Sequence, residues 1–236
     1  MTSSRETYSA CRQSNINATR AIASTLGVLT GISGISHGIS EALQGNHETN
    51  GFVINAIGKG SSWTKWTNGG EGAFTLIPNF FITGTLTIIT GIVLAVWSAR
   101  FIQTKKGSPI FLLIGTILFL VGGGVAQVPF IILTWVVATR INKPLSWWNT
   151  KISMNTRGAL AKAWLSSLIA SSVMLLIALE IAIFGFLPGV NNLNQLLIID
   201  WAILGLATII LLVSIVAGLV HDIEKQANQR QMNFAK

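Results

Sequence analysis

Glu180 and Asp200 are carboxylic acids set in long apolar runs on either side of Pro188-Gly-Val-Asn-Asn192, a segment with the composition of a tight turn. If both runs are helical, each acid lies roughly 10–12 Å from the turn at ~1.5 Å per residue. Ionisable groups at such depth in an apolar chain mark proton or cation pathways, because they are costly to keep otherwise. Two desolvated acids side by side are expected to share a proton, and no Lys or Arg lies near them in sequence to pair with. The same residues can also act as protonated helix-to-helix glue.

His37 and Glu41 form a second group. Four residues apart on one helix, they can touch. With His47 and Glu48 they offer metal-type ligands, but Gly45 and Asn46 make that stretch too loose for a fixed coordination sphere, and no metal is assigned. Gln127 and Gly122, Gly123 and Gly124 complete the candidate transport or ion site, as a polar side chain and a run of backbone exposed by missing side chains. No motif names a cofactor. Gly58-Lys59 is not a phosphate loop, since Gly60 stands where Ser or Thr belongs and Val53 where the first Gly belongs. Cys11 is the single cysteine, which excludes an intrachain disulfide and a cysteine metal cluster. No nucleophile and base are evident, and His37 with Glu41 is the one constellation that an enzyme could use.

The elements that hold these residues are membrane spans. Half of the 236 residues are hydrophobic and 10% are charged, the balance of a polytopic membrane protein. The net charge of +8 sits between apolar runs, so it points to topology and anionic lipid at the cytoplasmic face rather than to nucleic acid. Spans are expected over residues 21–43, 74–102, 159–187 and 196–220, with an interrupted third segment at 110–139. The polar arm 1–20 is expected to be cytoplasmic, residues 44–72 an outer loop, and 221–236 a cytoplasmic tail. The first span is expected to remain as an anchor.

Two all-α architectures fit: four spans plus one re-entrant helical hairpin, or five spans. The distribution of cations favours the first. If segment 110–139 enters and leaves on one side, Lys59 and Lys65 alone lie outside. Inside are Arg5, Arg12, Arg20, Arg100, Lys105, Lys106, Arg140, Lys143, Lys151, Arg157, Lys162, Lys225, Arg230 and Lys236. Gly122–Gly124 and Pro129 supply the break. That arrangement alone brings His37, the glycine break and both acids to one depth. It places the chain in the cell membrane with a cytoplasmic N-terminus.

The first span has a small-residue stripe at Gly27, Gly31, Gly34 and Gly38, spaced for close helix approach and available as a homo-oligomer seam. Its opposite face, including Ile32, Ile35 and Ile39, suits lipid. Trp63 and Trp66 in the outer loop, and Trp147 and Trp148 in the inner one, read as membrane anchors. Asn17-Ala-Thr19 matches a glycosylation acceptor but falls on the cytoplasmic side. Three function classes follow. The first is a channel or transporter for a proton, small cation or cation-coupled solute. The second is a non-catalytic membrane subunit or scaffold, and the third a membrane-embedded enzyme acting on lipid.

Overall fold

The structure, a computed structural model, describes residues 17–56, 72–143 and 154–234. Six helices appear among them. α1 (Ala18–Ala42) leads through a short strand β1 (Val53–Asn55) and β2 (Gly72–Thr75) to α2 (Phe80–Arg100). Then come α3 (Gly107–Leu120), β3 (Val121–Gly124), α4 (Gln127–Ala138), α5 (Met154–Phe184) and α6 (Leu193–Phe234). α1, α2, α5 and α6 are long and apolar enough to cross a membrane; α3 and α4 are apolar but short.

The starts of the helices follow from local chemistry. Asn17 Oδ1 accepts the Arg20 N–H at 2.8 Å, and Asn79 Oδ1 accepts the Ile82 N–H at 3.0 Å. Each thereby occupies one of the donors that a helix leaves open at its first turn. The remaining first-turn donors of α1 are taken from the far end of the chain. Asp222 on α6 accepts Ala18 N–H on Oδ1 and Thr19 N–H on Oδ2, both at 2.9 Å, and Thr19 Oγ1 donates to Oδ2 at 2.6 Å. Pro129, read as a breaker, lies in the first turn of α4, where no helical partner is lost by lacking an N–H.

α1 and α2 are antiparallel and nearly in backbone contact. A Cβ on Gly31 would lie 2.6 Å from Gly91 O, and one on Gly38 would lie 2.6 Å from Gly84 O. The glycine stripe of α1 is therefore taken up within the chain: Gly27, Gly31 and Gly38 face α2, and Gly34 faces Leu118 of α3. Ile35, expected on the lipid face, also packs at this seam, where a Cβ on Gly91 would meet its Cγ1 at 3.1 Å. Ile32 and Ile39 are exposed, as that face requires.

The third apolar segment splits where the sequence is rich in glycine. Phe111 of α3 lies against Gly27 of α1, and Leu118 lies against Gly34. Gln127, at the start of α4, contacts Ser33, and Asn142, just past its end, accepts from Asn17 Nδ2 at 3.0 Å. α3 thus runs toward the C-terminal end of α1, and α4 runs back toward its start. Gly115 of α3 lets Ile131 of α4 approach, a Cβ there being 2.6 Å from Ile131 Cγ2.

The protein is mostly helical, as expected, and the helices are joined by a small antiparallel sheet in the order β1-β2-β3 that the all-α reading did not include. Val53 pairs with Phe74 and Asn55 with Gly72, while Ala73 pairs with Gly124 and Thr75 with Val121 across an irregularity. The glycine break is a strand rather than a bare loop. Three consecutive glycines disfavour helix and leave backbone groups that must pair, and β2 provides the partners. Residues 74 and 75, read as the start of a span, belong to this sheet, and the α2 helix begins only at Phe80.

The buried apolar core runs through Ile22, Leu26, Leu94, Phe111, Leu118 and Leu211. α1 is the axis of the molecule. It packs on α2, α4, α5 and α6, whereas α4 makes no extensive contact with either α5 or α6. Two groups, α1–α4 and α5–α6, consequently meet along α1 and leave a cleft beside it. Trp63, Trp66, Trp147 and Trp148, and the arm before Asn17, lie outside the described residues.

Candidate functional site

The cleft contains a cavity of about 320 Å³ between α1, α4, α5 and α6. Its walls are largely Leu29, Phe130, Leu175, Leu179 and Leu204. Its polar lining comes from Thr30, Ser33, Ser36 and His37 on α1, Gln127 on α4 and Asp200 on α6. Each is positioned by helix periodicity. Ser33 and His37 are four residues apart on one face of α1, Gln127 opens α4 directly after the glycine strand, and Asp200 sits near the start of α6. Because α1 and α6 are antiparallel, the contact between Asp222 and Ala18 at one end places Asp200, ~33 Å back along α6, near the far end of α1.

The polar groups are deeply set. Asp200 is 2% exposed and Gln127 and His37 are each 4% exposed. Asp200 Oδ1 and Gln127 Oε1 have no hydrogen-bond partner among the described residues. Gln127 Nε2 donates to Ser33 Oγ at 3.4 Å, a long contact that leaves the amide weakly held. A buried acceptor without a donor is costly, by about 1–3 kcal/mol. Two of them on residues that line one cavity make its surroundings receptive to hydrogen-bond donors.

Of the acids and imidazole expected together, the structure brings Asp200, His37 and Gln127 to one cavity and separates the others. The buried acid pair does not form. Glu180 is exposed and lines a different, open groove of about 410 Å³ with Leu176, Ile177, Ile181, Phe184 and Phe186. The reason is rotational. The cavity face of α5 carries Leu175, Ala178, Leu179 and Ala182, and Glu180 points off that face. Matching depth along two helices did not imply a shared face.

Glu41 is fully buried, at the glycine strand rather than in the cavity. Gly122 has φ +120°, and a Cβ there would collide with the Glu41 carboxyl and lie 2.8 Å from Thr83 Oγ1. Only glycine fits this backbone and this contact. Thr87 Oγ1 is 2.6 Å from Val121 O and 3.5 Å from Glu41 Oε2, and Thr83 Oγ1 bonds both Val121 O and, at 2.6 Å, Thr75 Oγ1. Glu41 Oε1 has no partner among the described residues. This threonine cluster locks the strand tip to α2. Its signal in the sequence is weak: Thr83 and Thr87 are four apart on one face of a helix that also carries Thr85, Thr90 and Ser98.

Gly123 and Gly124 are likewise buried in the strand. A Cβ on Gly123 would lie 2.6 Å from Leu118 O. His47 packs its ring edge-on against Phe80, with centroids 5.0 Å apart, and Glu48 bridges to Asn79. No group of three or more His, Cys, Asp or Glu residues among the described residues is placed to hold a metal ion.

Asp222 was read only as part of a tail, yet it is the best-bonded acid among the described residues. The Thr19 hydroxyl of the glycosylation-like triplet is committed to it, and Asn17 is committed to capping α1.

No known protein family, curated protein or solved structure matches the chain. Its class rests on its own features: a mostly helical protein with four helices long and apolar enough to span a membrane.

Proposed function

We propose that this chain is a small membrane transporter or channel that moves a proton, or a small solute together with a proton or cation, by way of Asp200. The observation that carries this reading is the cavity beside α1, lined by Asp200 and Gln127, whose Oδ1 and Oε1 have no hydrogen-bond partner among the described residues. A buried carboxyl among long apolar helices, with one oxygen that has no hydrogen-bond partner among the described residues, is suited to taking up and releasing a positively charged species.

The proposed topology is a multi-pass protein of the cell membrane with its N-terminus in the cytoplasm. α3 and α4 dip into the bilayer and return to the cytoplasmic side. The charge distribution supports this, as do the contacts of Phe111, Leu118, Gln127 and Asn142 along α1. A glycine strand at membrane depth needs protein partners for its backbone, and β2 offers them. Anionic lipid at the cytoplasmic face is the proposed surface partner of the basic loops.

The test is reconstitution in liposomes with an internal pH-sensitive dye and an imposed proton gradient. Dissipation of the gradient should require the protein and should be lost in Asp200→Asn, while Glu180→Gln retains it. Wild-type vesicles no leakier than empty ones, or undiminished flux in Asp200→Asn, would end this reading.

A further inference from the structure

We infer that the cavity takes its ligand sideways from the bilayer, and that the ligand is an organic ammonium: a cationic, hydrogen-bond-donating head on a compact apolar body. The inference rests on the reading of the Asp200 cavity as the working site and names the class of solute that fits it.

The route follows from the packing. α1 joins the two helix groups, and α4 is not packed along α5 or α6, so among the described residues nothing closes the cleft on the side away from α1. Its rim residues are apolar and exposed. Trp201 is 62% exposed and Leu176 39% exposed, and both line the cavity. Both also lie within helices long and apolar enough to cross a membrane. An apolar mouth at that height faces acyl chains, so the species that reaches it easily is one dissolved in the membrane.

The chemistry follows from the inner end. Among the described residues, Asp200 Oδ1 and Gln127 Oε1 are two acceptors without donors, and no Lys or Arg lines the cavity. His37 is the one lining side chain able to carry positive charge, and a ligand that brings several donors together with a charge satisfies Asp200 and Gln127 at once. An ammonium supplies both, with up to three N–H groups. A neutral alcohol supplies one donor and no charge, and a carboxylate is repelled. A bare inorganic cation makes no use of the apolar walls that form most of the lining. At about 320 Å³ the cavity is at the small end of ligand sites, which suits a single ring on a short amine chain.

The experiment is equilibrium binding of radiolabelled 2-phenylethylammonium to the full chain in lipid nanodiscs, corrected for uptake by empty nanodiscs. Saturable binding is expected, competed by unlabelled amine at least tenfold better than by 2-phenylethanol, and not competed by 3-phenylpropionate. Asp200→Asn should weaken it tenfold or more, and Glu180→Gln should leave it unchanged. Binding equal to that of empty nanodiscs, or equal competition by the alcohol, overturns the inference. The competition series uses wild-type protein and decides the matter even if Asp200→Asn fails to fold. Proton flux measured without amine separates the two readings. Asp200-dependent flux with no amine binding overturns the ligand class alone. Amine binding with no flux overturns transport and leaves the site standing.

Discussion

Asp222 holds the start of α1 with three bonds, two of them from backbone donors that no residue of α1 itself reaches. Replacing it with Asn keeps one oxygen but turns an NH2 group toward Ala18 N–H or Thr19 N–H, donor against donor. Since the residue is only 5% exposed, water does not make up the loss. Asp222→Asn is expected to cost about 2 kcal/mol, read as a melting temperature lowered by several degrees; an unchanged melting point would show that the cap is dispensable. Glu41 should behave in the opposite way. The Thr87 hydroxyl has one hydrogen, and its nearer acceptor is Val121 O. Glu41→Gln brings an N–H donor that can bond Thr87 Oγ1, so this variant should melt at or above the wild-type temperature. A drop of several degrees would mean that the contact depends on the carboxylate itself. Gly122→Ala combines a forbidden φ with a collision at Glu41, and a loss of roughly 3 kcal/mol is expected from strain and displacement together.

At the scale of elements, the α1–α2 seam depends on backbone-to-backbone approach. Gly38→Leu places a side chain where Gly84 O and Ile88 N already stand, so the helices must separate. Ile39→Leu, one position along on an exposed face, changes nothing that is packed. Thermal unfolding in detergent should show a large loss for the first and a shift within about 0.5 kcal/mol for the second. Equal tolerance would mean that the two helices do not meet here. The complementary glycines of α2, Gly84 and Gly91, repeat at the same interval as Gly31 and Gly38. That repeat was present in the sequence, but a stripe on one helix does not say which helix lies against it.

For the whole molecule, the proposed re-entrant pair makes a topological prediction. Single cysteines at Thr104 and Lys143, in a chain with Cys11 replaced by Ser, flank α3 and α4. Both should react with a membrane-impermeant reagent from the cytoplasmic side only. Labelling from opposite sides would make the segment a crossing and would separate the basic loops. It would also contradict the return path that places Asn142 beside Asn17.

The sequence by itself determined the apolar spans, their approximate number, the break in the third segment and the small-residue face of α1. These follow from composition and from helix periodicity, which are local properties of the chain. It also marked His37, Gln127 and Asp200 as polar residues in an apolar setting. Tertiary structure alone decided which of the marked residues meet. Depth along a helix can be counted from the sequence, but rotation about its axis relative to distant helices cannot. That rotation sends Asp200 into the cavity and Glu180 out of it. The sheet was hidden for a related reason. Gly122–Gly124 becomes a strand only because Gly72–Thr75 comes alongside to satisfy its backbone, a pairing between segments far apart in the chain.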